Sequence, residues 1–230
     1  MGAFGVVVAS RHIELGQLVA IKKIEKAEVR KRNLMTEVEE EGKVLRMLAG
    51  HPSPFCLFLL YAFSDDNNFY FAMPIATAGD LDFHIVKTAN GLSIERARFY
   101  LGELALAISH LHSLGIIYRD LKPANVLLDH AGHVLLSDFG LARHIGAGGE
   151  LQGKAGTEGF WSPEVITSSS STPEEERTAY GFASDWWSLG ATLFYFLEGT
   201  GPFSTRITKL ESRHVFACAR SSCCTFARQF

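Results

Sequence analysis

The segment Tyr118-Arg119-Asp120-Leu121-Lys122-Pro123-Ala124-Asn125 holds an acid, a base and an amide within a short stretch, between a helical and a strand-like run. Asp138-Phe139-Gly140 follows shortly after it. The Asn125 amide and the Asp138 carboxylate offer hard oxygens. Such a pair suits Mg²⁺, which takes few protein oxygens and completes its shell with phosphates and water. Asp120 is then the acceptor of a substrate hydroxyl proton. An isolated Asp-Phe-Gly says little; the ordered set with its spacings is very hard to obtain by chance.

Two further features belong with this set. Gly2-Ala3-Phe4-Gly5-Val6-Val7 reads as part of a glycine-rich turn, where backbone N–H groups can approach phosphate oxygens closely. Taken alone, a plain glycine-containing hairpin explains it better. Val19-Ala20-Ile21-Lys22 places a lysine on an apolar strand, where an inward ammonium needs an anion. Glu41 can supply it, with Glu37, Glu39 and Glu40 as rivals. A solvated surface lysine is the bland reading of that tetrapeptide.

The elements that position these residues follow from pattern. Phe4 to Ser10 and Leu18 to Ile24 read as a hairpin turning near Gly16. Asn33 to Leu48 has helical composition, and Phe55 to Phe63 and Asn68 to Met73 read as two more strands. A small sheet with one helix is therefore expected up to residue 73. Ile94 to Leu114 repeats apolar residues at helical spacing, with Ser93 as N-cap and Gly115 as stop. Val126 to Leu128 and Val134 to Leu136 form a second hairpin. Residues 168–176 read as a polar loop, and Ala183 to Leu197 as a buried helix.

Bulk properties are those of a globular protein: 230 residues, 47% hydrophobic, 20% charged, net charge −3. Nothing in that balance argues for a nucleic acid polymer or an anionic membrane as main partner. No apolar run reaches the length of a spanning helix, and no signal peptide is recognisable. Cys56, Cys218, Cys223 and Cys224 lack metal-binding or disulfide-framework spacing. A cytoplasmic monomer is expected.

Taken in order, VAIK, YRDLKPAN, DFG and GTEGFWSPE resemble the catalytic domain of a eukaryotic protein kinase. Asp185-Trp186-Trp187-Ser188-Leu189-Gly190 further resembles the AGC group. Gly79-Asp80-Leu81-Asp82-Phe83-His84, Pro123-Ala124-Asn125 and Gly156-Thr157-Glu158-Gly159-Phe160 are closest to its G-protein-coupled-receptor-kinase branch. The resemblance implies a two-lobed α+β fold over residues 1–203. Its small lobe would occupy about 1–73, its hinge 74–77 and its large lobe 78–203, with residues 204–230 an irregular unmatched tail.

It also implies transfer of the ATP γ-phosphate to Ser/Thr hydroxyls of protein substrates. Lys22, paired with Glu41, would hold the α- and β-phosphates, with Asp120 as base and Lys122 neutralising the moving phosphoryl group. Asp138 and Asn125 would bind Mg²⁺. Gly2, Gly5, Val7, Ala20, Met73, Pro74, Ala76, Asp80 and Leu127 would line the ATP site, Asp80 also serving as a helix N-cap. Thr157 would touch the catalytic loop and bias the target towards Ser/Thr. Asp185 would bind the backbone of the Tyr118-Arg119 loop. Gly153 stands where the AGC group is usually phosphorylated, and residues 139–156 contain no Ser, Thr or Tyr. No regulatory phosphorylation is expected there. Ala124 stands where many AGC enzymes carry a glutamate, which argues against a strong preference for arginine near the target.

The same resemblance places the first glycine of the loop and most of the first strand before Met1, and further large-lobe helices after Phe203. On that footing, the alternative reading is a truncated kinase fold that is catalytically weak or inactive, serving to bind nucleotide or as a scaffold.

Overall fold

Alternating residues of the first two strands build the face on which the site is assembled. In this computed structural model, which describes residues 5–88, 91–168 and 177–202, β1 (Val6–Arg11) pairs antiparallel with β2 (Leu18–Glu25). Gly16, at φ 65°, makes the tight turn between them. β4 (Asn68–Pro74) pairs with the other edge of β2, and β3 (Tyr61–Ser64) with β4, giving the order β1-β2-β4-β3. Directly opposed residues share a face. Val7 therefore lies opposite Lys22, Ala20 opposite Met73 and Lys22 opposite Phe71, all on one side of the sheet.

Two helices, not the expected single one, follow β2. α1 (Lys26–Arg32) ends at Asn33, which adopts the left-handed conformation at φ 55°. Asparagine tolerates that region better than other side chains, so the chain can turn there. α2 (Met35–Gly50) then buries Val38, Glu41, Val44, Leu45 and Leu48. Gly42 looks like a flaw within this helix, but a Cβ there would sit 3.2 Å from the Phe71 ring. The glycine lets α2 lie close against β4.

The expected strand from Phe55 to Phe63 is realised only over its end. Between the helix and β3 the chain runs irregularly along the large lobe, where Leu57 N–H donates to Leu136 C=O and Leu136 N–H to Phe55 C=O. Apolar side chains there fill the boundary between the lobes, which reads like a strand in sequence but needs no ladder.

The large lobe begins with α3 (Leu81–Thr88) and is centred on α4 (Ile94–Ser113). Ser93 accepts the Arg96 N–H at 3.3 Å as its cap. Gly115, at φ 72°, passes so close to Gly146 that a Cβ would lie 2.9 Å from its Cα. β5 (Ile116–Ile117) pairs with β8 (Arg143–His144), and β6 (Val126–Leu128) with β7 (Val134–Leu136). α5 (Pro163–Thr167) and α6 (Ala183–Glu198) complete the described part. α6 is not buried all round as expected. Trp186, Phe194 and Leu197 are exposed, while Asp185, Ser188, Leu189, Thr192 and Phe196 face inward. One helix packing on one side buries one stripe. The architecture is a two-lobed α+β fold. The expected polar loop lies largely outside the described residues, as do Gly2, the three C-terminal cysteines and the expected tail.

Candidate active site

Lys22 is the point where three distant parts of the chain meet. Its ammonium on β2 lies 2.5 Å from Glu41 Oε1 on α2 and 3.2 Å from Asp138 Oδ1 after β7. Burial opposes the charge on Lys22, but the Glu41 and Asp138 carboxylates outweigh it and hold its pKa above the ordinary lysine value. Of the four candidate glutamates, Glu41 is the one on the buried stripe of α2 with Val38, Leu45 and Leu48. That stripe was the signal that could have singled it out. Asp138 adopts φ 49°, a backbone region costly for a non-glycine residue. Its side chain remains 37% exposed, open to the cleft.

Asp120 forms a second cluster. Its Oδ2 accepts from Lys122 Nζ at 2.8 Å and from Asn125 Nδ2 at 2.9 Å, and its Oδ1 accepts from Thr157 Oγ1 at 2.7 Å. Lys122 also donates to Thr157 at 2.6 Å. A carboxylate offers about four lone-pair sites, so Oδ1, with a single partner among these bonds, keeps capacity for an incoming hydroxyl. The Asn125 amide nitrogen is committed to Asp120, also reaching its backbone oxygen at 2.8 Å. The amide oxygen is thus the Asn125 atom with lone pairs to offer a cation.

The loop carrying Asp120 is held from beneath. Fully buried Asp185, at the start of α6, accepts the Tyr118 and Arg119 N–H groups, each at 2.8 Å. His112 Nε2 completes its coordination at 2.8 Å. Arg119 itself has φ 72°, and two N–H bonds to one carboxylate hold that unfavourable turn. The buried Tyr118 hydroxyl donates to the Ser137 carbonyl, just before Asp138. Burial, then the nearby Asp120 and Asp138 charges, push the Tyr118 pKa well up, so it remains a donor. The Tyr118 ring meets Phe139 edge-on, with centroids 5.6 Å apart. His112 and Ser137 were not foreseen; each is an ordinary polar residue until the fold supplies its partner.

The residues expected around a nucleotide are brought to one region. Val7, Ala20 and Met73 share the inner face of the sheet, and β4 leads through Pro74 towards Ala76. Leu127 on β6 bridges to Asp80, and Leu128 N–H donates to Gly79 C=O at 2.8 Å. Asp80 Oδ1 accepts Phe83 N–H at 2.8 Å, capping α3. Gly5 has a structural reason of its own: a Cβ there would meet Lys23 O at 2.3 Å.

The protein kinase domain family matches residues 1–227. This chain belongs to that family. It is 39% identical over 216 residues to G protein-coupled receptor kinase 2 of Drosophila melanogaster, covering 93% of this chain and 29% of that protein. Rhodopsin kinase GRK7 of Bos taurus is 36% identical over 203 residues, covering 88% of this chain and 35% of the relative. Serine/threonine-protein kinase Sgk1 of Fundulus heteroclitus is 37% identical over 208 residues, covering 90% and 46%. The chain thus spans less than half the length of each of these curated relatives. Among the described residues of this kinase domain, no helix is long and apolar enough to cross a membrane.

Proposed function

We propose that this domain transfers the γ-phosphoryl group of Mg-ATP to serine or threonine hydroxyls of protein substrates. The observation that carries the reading is Lys22, bound at once to Glu41 of the small lobe and Asp138 of the large one. That contact sets a fixed cation against a half-open carboxylate across one cleft. The lobes in this reading are residues 1–73 and 78–203, joined by a hinge at 74–77.

The donor set fits the cofactors. Asn125 and Asp138 present oxygens of the type Mg²⁺ prefers. Bound there, the cation would neutralise phosphate charge. Lys22 holds the α- and β-phosphates, and the adenine lies between Val7, Ala20 and Leu127, with Met73, Pro74 and Ala76 at its edge. Gly5, and Gly2 outside the described residues, belong to the turn over the phosphates. Asp80 serves the ribose as well as capping α3. As the hydroxyl oxygen bonds to the γ-phosphorus and the bond to the β–γ bridging oxygen breaks, Asp120 takes the hydroxyl proton. Lys122 balances charge on the moving group, and Thr157 orients both Lys122 and Asp120. Such positioning and charge stabilisation account for most of the catalysis of this reaction.

The test is phosphate transfer from Mg-ATP to a Ser/Thr protein substrate, with no upstream kinase added. Asp120→Asn should lower kcat by about 100-fold or more and leave the thermal shift produced by Mg-ATP intact. A wild-type chain that binds Mg-ATP yet transfers no phosphate would favour a nucleotide-binding module instead.

A further inference from the structure

Between Asp138 and Thr157 no residue can be phosphorylated on a hydroxyl, yet the structure holds this stretch firmly. Leu151 and Tyr180 exchange backbone hydrogen bonds at 2.8 and 2.9 Å. The Tyr180 hydroxyl donates to Gly153 C=O at 3.0 Å and accepts from Arg119 Nη1 at 3.2 Å. Gly153 N–H in turn donates to Ser168 Oγ at 2.9 Å. Arg119 Nε donates to Leu141 C=O at 2.7 Å. The guanidinium next to Asp120 is therefore tied to both ends of the stretch through neutral oxygens.

We propose that Tyr180 is a positioning residue: its hydroxyl relays between Arg119 and Gly153, bracing segment 139–157 against the catalytic loop without a phosphate. Three observations converge on it. The ring is 3% exposed and packs with Ile117 and Val165, so the hydroxyl is held by its surroundings. Gly153 has φ 88° with open space where a Cβ would be, so backbone conformation and not crowding selects glycine there. A serine or threonine at 153 would carry the strain of that region, and the brace and a phosphoacceptor compete for the position. Arg143 also lies near Arg119. Burial and then the Arg119 charge hold its pKa down, while Glu37 and Glu40 of α2 oppose them. Arg143 Nη1 donates to Ala142 C=O at 2.8 Å and to Gly140 C=O at 3.4 Å, so this second arginine too is held through neutral oxygens.

The inference rests on the kinase reading only for its rate measurement. In the full 230-residue chain, Tyr180→Phe keeps the ring and removes both hydroxyl bonds. With each such bond stabilising modestly, amide exchange at Leu151 and Gly153 should quicken by about tenfold, with α4 protection unchanged. kcat for a protein substrate should fall while KM for ATP holds, a split that loss of packing alone would not give. Exchange at Leu151 and Gly153 equal to wild type would overturn the brace, whatever the activity. A wild type without phosphate transfer but with faster exchange in the variant would sink the kinase reading and leave the brace standing. Should Tyr180→Phe fail to fold, Arg119→Met severs the other end of the relay. Faster exchange at Gly153 in that variant supports the brace, and unchanged exchange overturns it.

Discussion

Two buried carboxylates organise this domain in opposite ways. Glu41 is held by the ammonium of Lys22, a charge carried on a long side chain from another element. Asp185 is held by two backbone N–H groups and the His112 ring. The first arrangement joins parts that can move apart, since it spans β2, α2 and the segment after β7. The second fastens a loop to a helix, and two of its three partners are fixed in the main chain. A charge satisfied by backbone dipoles keeps its partners for as long as the loop stays folded. A charge satisfied by another side chain depends on one group, and that group can be removed.

The largest effect should come from breaking the first arrangement. Lys22→Met leaves Glu41 and Asp138 facing each other without a cation. Loss of one partner from a buried pair costs about 3–5 kcal/mol, and, on the proposed role of Lys22 in holding phosphates, its loss should lower kcat/KM by about 100-fold or more. Urea unfolding and phosphate transfer measure the two together. A variant as stable as wild type would show that solvent already relieves the pair, and the contrast with Asp185 would vanish.

A smaller loss is expected for Asp185→Asn. The amide keeps one acceptor but turns an NH₂ towards groups that are themselves donors. Leaving a buried donor unpaired costs about 1–3 kcal/mol, so the thermal midpoint should fall. The fall should be less than for Lys22→Met. Because Asp185 sets the turn at Arg119, kcat should drop with it while ATP affinity stays near wild type. A stability loss exceeding that of Lys22→Met would reverse the ranking of the two arrangements.

How far sequence could reach differs between the regions in the same way. Lys22, Asp120, Asn125 and Asp138 sit in short motifs whose spacing was legible, and the hairpins, α4 and the Ser93 cap followed from local pattern. The break between α1 and α2 was not legible, because one asparagine entering the left-handed region decides it. Nor was the irregular course after Phe55, where backbone groups pair singly with β7 across the lobe boundary. Tyr180 carries no local signal in the sequence. Its hydroxyl gains meaning only when the fold sets Gly153 and Arg119 on either side, 27 and 61 residues away in the chain. Local chemistry is written locally; a relay that joins a side chain to a distant backbone carbonyl is not.

A third buried carboxylate lies between the two extremes and sharpens the comparison with the smallest expected effect. Glu103 on α4 accepts the Val134 N–H at 2.9 Å, as Asp185 accepts main-chain donors. Its other oxygen lies 2.6 Å from His133 Nδ1, a partner that can gain or lose its charge. The hydrogen bond to Glu103, and then the Glu103 charge, raise the His133 pKa above its ordinary value. A raised folded-state pKa means that the protonated ring stabilises the fold. That contribution is complete below the unfolded value of about 6.5, and it fades as pH rises through the higher folded value. His133→Gln should therefore lag wild type in urea midpoint more at pH 6 than at pH 9. The backbone bond from Val134 does not titrate, so Glu103 should keep most of its hold on the β6–β7 hairpin at both. Parallel pH curves for the two proteins would mean that the His133 charge adds nothing to the hold that the Val134 N–H already gives Glu103.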